Sequence, residues 1–187
     1  MLLTLWRHGE AAYSGPDSQR QLIERGVEHV RATVGLYLSL CQKRGLGIPI
    51  VCTHSPYVRT KQTASLIASE LGLSDVFSQE LLAPGQTDYV SGDYLSEESG
   101  HQLVVGHQPY LSQLIDVWCD TSAHTSLSPS GFAIIELTAP CRGGGELLYH
   151  APARSLSAGA DWLVRGLVCR APLAPVAGLR VSGPNRC

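Results

Sequence analysis

Arg7-His8-Gly9-Glu10 follow directly on the apolar run Leu2-Leu3-Thr4-Leu5-Trp6. A buried strand that ends in Arg-His-Gly sets an imidazole beside a guanidinium where the chain leaves the sheet. Such a pair can serve as a nucleophile next to a phosphate-binding fork. Two further apolar runs end in similar chemistry. Leu103-Val104-Val105 runs into Gly106-His107, and Ile48 to Val51 leads to Thr53-His54-Ser55-Pro56, with Arg59 just beyond. In an open parallel sheet the ligand crevice lies beyond the carboxyl ends of the strands, so these three ends are expected to converge although they are far apart in sequence.

A histidine nucleophile must be neutral at working pH. Nearby cations such as Arg7 and Arg59 disfavour its protonation, and a hydrogen bond to the other ring nitrogen selects the tautomer. His8 is therefore expected to attack phosphorus and form a covalent phosphohistidine, which divides a hard hydrolysis into two easier transfers. The phosphoryl group in flight carries negative charge on its equatorial oxygens and needs fixed donors. Arg7 and Arg59 can each offer a planar fork to two oxygens, and His107 can add an N–H from its own strand end. All three are assigned to phosphate binding. Ser55 is expected to cap the helix that carries Arg59, with Pro56 at the first helical position.

These residues resemble the histidine phosphatase superfamily, with its phosphoglycerate mutase-like fold, and within it the small bacterial phosphohistidine phosphatases of the SixA type. The resemblance runs from Met1 to about Ala153. It is carried in order by Arg7-His8-Gly9-Glu10, by Arg20-Gln21-Leu22 with Gly26, by Ser55 to Thr63, by Glu80-Leu81-Leu82-Ala83-Pro84-Gly85, and by Val104-Val105-Gly106-His107-Gln108-Pro109. His54 departs from the pattern, standing where a small residue is expected. The resemblance implies two further site residues. Arg20 matches an arginine near the phosphate pocket, and Glu80 lies in the segment that carries the acidic proton donor in related enzymes, with Asp88 and Asp93 as fallback acids.

The elements that must hold these groups follow from hydrophobic periodicity. Strands are expected near Leu2 to Trp6, Pro49 to Cys52, Leu103 to Val105, Phe132 to Leu137 and Leu147 to His150, with a short one at Val76-Phe77. Helices are expected from about Gln19 to Lys43, with Leu22, Ile23, Val27, Val30, Val34 and Leu38 as the apolar stripe, from Val58 to Leu71 with Gly72 as its cap, and from Pro109 to Cys119. Gly143-Gly144-Gly145 reads as a hairpin loop. Strands alternating with helices predict a three-layer α/β/α sandwich with a mostly parallel central sheet. Residues 1–153 form the domain. Residues 154–187, rich in Pro, Gly and Arg, read as a poorly ordered tail with room for a short helix at Ala160 to Val168.

Composition narrows the function classes. The chain of 187 residues carries a net charge of −2, which provides no general attraction to nucleic acid. Cys41, Cys52, Cys119, Cys141, Cys169 and Cys187 are scattered, without a Cys-x-x-Cys pair, and are expected as free thiols in a reducing cytoplasm. No charged leader followed by a long apolar stretch opens the chain, and no run reaches the roughly 18 apolar residues of a membrane span. His54, His29, His101, His124 and His150 show no ligand spacing and read as surface or structural, so neither metal nor cofactor is implied. Trp118 and Trp162 read as core or partial-core residues. Cys52 and Arg59 are one residue too far apart for a Cys-x5-Arg phosphatase loop, and Cys52 ends a buried strand.

The expected activity is metal-independent phosphatase chemistry on phosphohistidine borne by a signalling or phosphotransfer protein. Only about Gly85 to His101 separates the candidate acid from the next strand, and so short a cap leaves the pocket open to a protein-borne group. The alternatives are a phosphomonoesterase for a small metabolite and a non-catalytic module that binds phosphorylated ligands. Retention of both His8 and His107 argues against the last.

Overall fold

The computed structural model describes residues 1–89, 91–96, 100–122 and 126–151. The expectations for the 154–187 tail, for Trp162 and for His124 lie outside those residues. Among the described residues six strands form one sheet: β1 (Leu2–Arg7), β2 (Val51–His54), β3 (Val76–Ser78), β4 (His101–Gly106), β5 (Phe132–Leu137) and β6 (Gly145–His150). Their order across the sheet is β3-β2-β4-β1-β5-β6. The first four are mutually parallel, β5 runs antiparallel to β1, and β6 runs antiparallel to β5. The sheet is thus mostly parallel, as the alternating pattern implies.

Three helices cover it: α1 (Glu24–Arg44), α2 (Val58–Leu71) and α3 (Tyr110–Trp118). Period-2 alternation along β1 decides which face each side chain serves. Leu3 and Leu5 join Val104, Ala133 and Ile135 beneath Leu111, Leu114, Ile115 and Trp118 of α3. Trp6 joins Leu103, Val105, Phe132 and Ile134 beneath Val30, Val34 and Tyr37 of α1 and Ala64 and Ile67 of α2. Both faces are dry, so the layers are helix, sheet, helix. Trp118 is fully buried, as a core residue should be.

Two expectations about local structure need correction. The first long helix begins at Glu24, not near Gln19. Asp17–Gln19 form a single 3₁₀ turn, and the chain then runs extended, with Ala12 N–H bonding Gln21 O at 2.9 Å and Ile23 N–H bonding Glu10 O at 3.1 Å. The backbone of 20–23 pairs with the loop after β1, and that tertiary pairing overrides helix propensity. The buried stripe accordingly shifts to Val30, Thr33, Val34, Tyr37, Leu40 and Cys41, while Leu38 is only partly buried. The second correction concerns α2, whose bounds match expectation but whose N-cap is Tyr57, with Ser55 and Pro56 both preceding it. Gly72 closes α2 at φ 70°, in the left-handed region that favours glycine.

His101 is structural, and buried. Its Nε2 lies 2.7 Å from Thr4 Oγ1 and 3.2 Å from Tyr37 OH, and its Nδ1 lies 2.5 Å from Gly47 O. This network ties the lower end of the sheet to α1.

Gly26 governs how closely α1 approaches the loop that follows β1. A Cβ at this position would stand 2.2 Å from Glu10 O, a backbone atom with no room to yield. We expect Gly26→Ala to destabilise the fold by about 1–3 kcal/mol or more, as overpacking against fixed atoms does. Urea denaturation measures this, and a change below about 0.5 kcal/mol would mean that the loop and helix can separate without cost.

Candidate active site

Register builds the site. In the parallel pairing of β1 with β4, Arg7 lies opposite Gly106, so the next residues, His8 and His107, leave the sheet side by side. Their rings sit 5.1 Å apart between centroids. In the pairing of β2 with β4, His54 lies opposite Val105, which brings Ser55 to the same level. Ser55 N–H bonds Val105 O at 3.2 Å, and Ser55 Oγ lies 2.7 Å from His107 Nε2.

The backbone of His8 is held from both neighbours. Its N–H bonds Gly106 O at 3.1 Å, and its carbonyl accepts from Ser130 N–H at 3.1 Å. Ser130 is buried and adopts φ 64°, a conformation uncommon for a residue with a side chain. On the helix side, Gly9 N–H donates to Thr63 Oγ1 of α2 at 3.0 Å, and Thr63 Oγ1 in turn donates to Arg59 O at 2.7 Å. One threonine therefore joins the loop of His8 to the helix of Arg59.

A hydrogen bond to a carbonyl selects the tautomer of His8. His8 Nδ1 lies 2.7 Å from Gly9 O, and a carbonyl can only accept, so Nδ1 carries the proton and Nε2 presents a lone pair. Arg59 Nε–H faces that lone pair at 3.3 Å. Ser55 Oγ accepts from Tyr57 N–H at 3.4 Å and lies 2.7 Å from His107 Nε2, and a hydroxyl pairs with that nitrogen in either of its protonation states. His107 Nδ1 is buried and has no hydrogen-bond partner among the described residues.

Arg7 anchors Nη1 on Leu127 O at 2.8 Å, while its buried Nε has no partner among the described residues. Arg59 is only 5% exposed and bonds Asp17 with its outer nitrogens, and its guanidinium lies 4.9 Å from the Tyr57 ring centre. Burial pushes the His8 imidazole down to about 4, against the opposing pull of the Gly9 hydrogen bond, and Arg59, Arg7 and Arg20 press it in the same direction. Burial likewise takes His107 down to about 3, helped by His8, Arg59 and Arg7 and opposed by Asp17. Burial also lowers Arg7 from its ordinary value.

Of the residues singled out from sequence, Arg7, His8, Arg59 and His107 come together in one pocket. Arg20 stands at its edge, donating from Nη1 to Asp17 Oδ1 at 2.9 Å and from Nε to Ala12 O. Glu80 lies exposed on a 3₁₀ turn, Glu80–Leu82, with no hydrogen bond or ion pair to any of the four among the described residues. Asp88 and Asp93 are exposed too, and Asp88 Oδ1 accepts from Ser91 N–H at 3.0 Å. His54 is buried, its Nδ1 2.7 Å from Ser55 O. Burial pushes the Cys52 thiol up to about 12, far from a reactive thiolate.

Sequence reasoning passed over Asp17 and gave Ser55 the wrong task. Ser55 serves His107 rather than capping α2. Strand register alone could have revealed this, since Ser55 follows a strand that pairs with the one leading to His107.

No family model matches the sequence, and no curated protein matches it. Solved structures do match by shape. The protein histidine phosphatase SixA complexed with tungstate superposes with a TM-score of 0.63 at 22% identity, over 79% of this chain and 94% of that one. The putative phosphohistidine phosphatase SixA from Agrobacterium tumefaciens gives 0.63 at 17% identity over 79% and 94%. This chain has the histidine phosphatase fold, phosphoglycerate mutase-like. A putative alpha-ribazole-5'-P phosphatase from Escherichia coli shares that fold at 0.57 and 20% identity, over 82% of this chain and 97% of its own.

Because neutral His8 and His107 are favoured in the fold, their ring resonances should titrate well below the ordinary value near 6.5, with midpoints below about 5 by NMR. Linkage then has a definite sign. A base with a depressed folded pKa contributes fully above its unfolded pKa and progressively loses that contribution as pH falls toward the folded value. Denaturation midpoints should therefore fall between pH 7 and pH 5. Titration of both rings at 6.5 or above would remove the electrostatic basis of the pocket.

Proposed function

We propose that this chain is a phosphatase that forms a covalent phosphohistidine at His8 and acts on phosphohistidine carried by another protein. One observation carries the reading. The unprotonated Nε2 of His8 faces Arg59 Nε–H at 3.3 Å, the His107 ring stands 5.1 Å from the His8 ring, and buried Arg7 Nε–H has no acceptor among the described residues. Buried donors without acceptors are costly, and a phosphoryl group supplies the oxygens they lack.

In the first step the His8 Nε2 lone pair attacks phosphorus as the bond from phosphorus to the substrate nitrogen breaks. The departing imidazole takes a proton from water or leaves already protonated. In the second step water attacks phosphorus, the bond to His8 breaks, inorganic phosphate forms with the proton of that water, and His8 returns neutral. Arg7, Arg59 and His107 hold the equatorial oxygens throughout, as fixed donors aimed at the charge of the transferring group.

Two observations favour a phosphoramidate over an alkyl ester. Glu80 makes no hydrogen bond or ion pair to the four site residues among the described residues, and an imidazole leaving group has less need of a positioned acid than an alkoxide. The segment between Glu80–Leu82 and β4 holds no helix among its described residues, and its aromatic rings pack onto α3, with Tyr89 5.2 Å from Tyr110 and Tyr94 6.5 Å from Trp118. A site with no helix over it from this segment's described residues suits a group presented on a protein surface. The likeness to SixA structures supports the same choice. A signalling or phosphotransfer protein in a reducing cytoplasm is the partner this reading implies, consistent with free thiols at Cys41, Cys52, Cys119 and Cys141. Among the described residues no helix is long and apolar enough to cross a membrane.

We expect His8→Ala to fold and to lose at least roughly 10³-fold in turnover of p-nitrophenyl phosphate. The wild type should trap acid-labile phosphate on His8, keep its activity in EDTA and be inhibited competitively by vanadate. Retained activity in the variant, or a strict need for added metal, would remove this mechanism.

Substrate class has its own test. Glu80→Gln should leave dephosphorylation of a phosphohistidine protein within about threefold of wild type, because no acid is required there. A kcat/KM for a sugar phosphate far above that for any phosphohistidine protein would establish the metabolite phosphatase instead. Oxyanion binding without any turnover would establish the binding module.

A further inference from the structure

Arg59 is a buried cation, and its donors are almost all committed. A guanidinium has five N–H groups: one on Nε and two on each outer nitrogen. Nη1 donates to Asp17 O at 2.5 Å and to Asp17 Oδ1 at 3.3 Å, and Nη2 donates to Asp17 Oδ2 at 3.1 Å. Nε donates toward His8 Nε2 at 3.3 Å. The carboxylate thus takes the outer end of the guanidinium. The remaining edge, Nε with the second hydrogen of Nη2, offers two parallel N–H bonds on the side where His8 stands, and that spacing suits two oxygens of one phosphoryl group.

Asp17 is itself held in place. It opens the 3₁₀ turn Asp17–Gln19, where Gln19 N–H bonds Pro16 O at 2.9 Å, and its Oδ1 also accepts from Arg20 Nη1 at 2.9 Å. Arg20 is anchored in turn by its Nε on Ala12 O. The pair is asymmetric. The Asp17 side chain is 53% exposed and that of Arg59 only 6%, so the buried cation depends on a partner at the rim. A long arginine side chain has many rotamers, and a bidentate carboxylate selects one of them.

We propose that Asp17 is a positioning residue of this site: its carboxylate and carbonyl clamp the Nη1/Nη2 end of Arg59, so that the Nε/Nη2 edge faces phosphorus bound at His8. The inference rests on the reading of His8 and Arg59 as a phosphoryl-transfer pair. Asp17 touches no reacting atom and acts through Arg59. A carboxylate so near the pocket could instead compete with phosphate for the same guanidinium. The edges distinguish the two roles, since Asp17 holds the outer end and leaves free the edge toward His8.

The test compares Asp17→Asn and Asp17→Ala with wild type. Asp17→Asn should weaken vanadate inhibition and lower kcat/KM on p-nitrophenyl phosphate by roughly tenfold to a hundredfold, as loss of a support behind a site ligand does. The melting temperature should move little, because the carboxylate is half-exposed. In an Arg59→Ala background, adding Asp17→Ala should change neither quantity further. Vanadate affinity within twofold of wild type, or tighter, would overturn the clamp, the tighter result assigning Asp17 to competition. A second readout needs no activity. The Arg59 Nε–H resonance should be protected from exchange in wild type and lose that protection in Asp17→Asn. A wild type without turnover or vanadate binding would end the phosphatase reading, and the clamp would then be decided by this resonance alone, with retained protection in the variant overturning it.

Discussion

Arg7 pairs with Gly106 across β1 and β4, and this register determines where every group in the pocket can stand. Two parallel strands that end level deliver their following residues to the same place, so His8 and His107 meet without any contact of their own to bring them together. The β2 pairing sets Ser55 one step along the same rim, within reach of His107. A slip of one residue in either pairing would exchange the faces of every side chain on the strand. Trp6 would then leave its place against Tyr37 and Phe132, and Leu3 and Leu5 would leave the α3 face. Burial of those residues on opposite faces is what makes the register costly to change, and the catalytic geometry inherits that rigidity.

The pocket is electrostatically one-sided, and it remains stable because each cation is tied to an acceptor outside the reaction zone. Arg7 rests on Leu127 O, Arg59 on Asp17, and Arg20 on Ala12 O and Asp17. Both histidines stay neutral, so the site adds no further positive charge. A buried cluster of four positive groups would carry a large desolvation cost, and two arginines with two neutral imidazoles carry much less. The same burial that keeps His8 unprotonated also strengthens the field its neighbours exert on an incoming anion.

Much of this arrangement is readable from residue order. A strand ending in Arg-His-Gly, another ending in Gly-His, and an arginine in the helix after β2 define the candidate site, because strand ends of a parallel sheet converge. The bounds of α2 and its Gly72 cap follow from local periodicity and from the backbone freedom of glycine. Local signals fail where distant backbone intervenes. The helical pattern after Gln19 is real, yet residues 20–23 stay extended because they bond to the chain at 10–12. Ser55-Pro56 has the form of a helix start, but the serine hydroxyl is drawn to His107, a partner 52 residues away.

Amino-acid order by itself determined the sheet class and placed Arg7, His8, Arg59 and His107 at segment ends that meet, since these depend on periodicity within single segments and on residue type. Tertiary structure decided what depends on several segments meeting. It assigned the tautomer of His8 through Gly9 O, joined His107 to Ser55 Oγ, and gave Arg59 a carboxylate partner 42 positions earlier in the chain. The physical reason is that a hydrogen bond of about 3 Å requires two groups to be placed in space together, and no pattern within one segment encodes the position of the other.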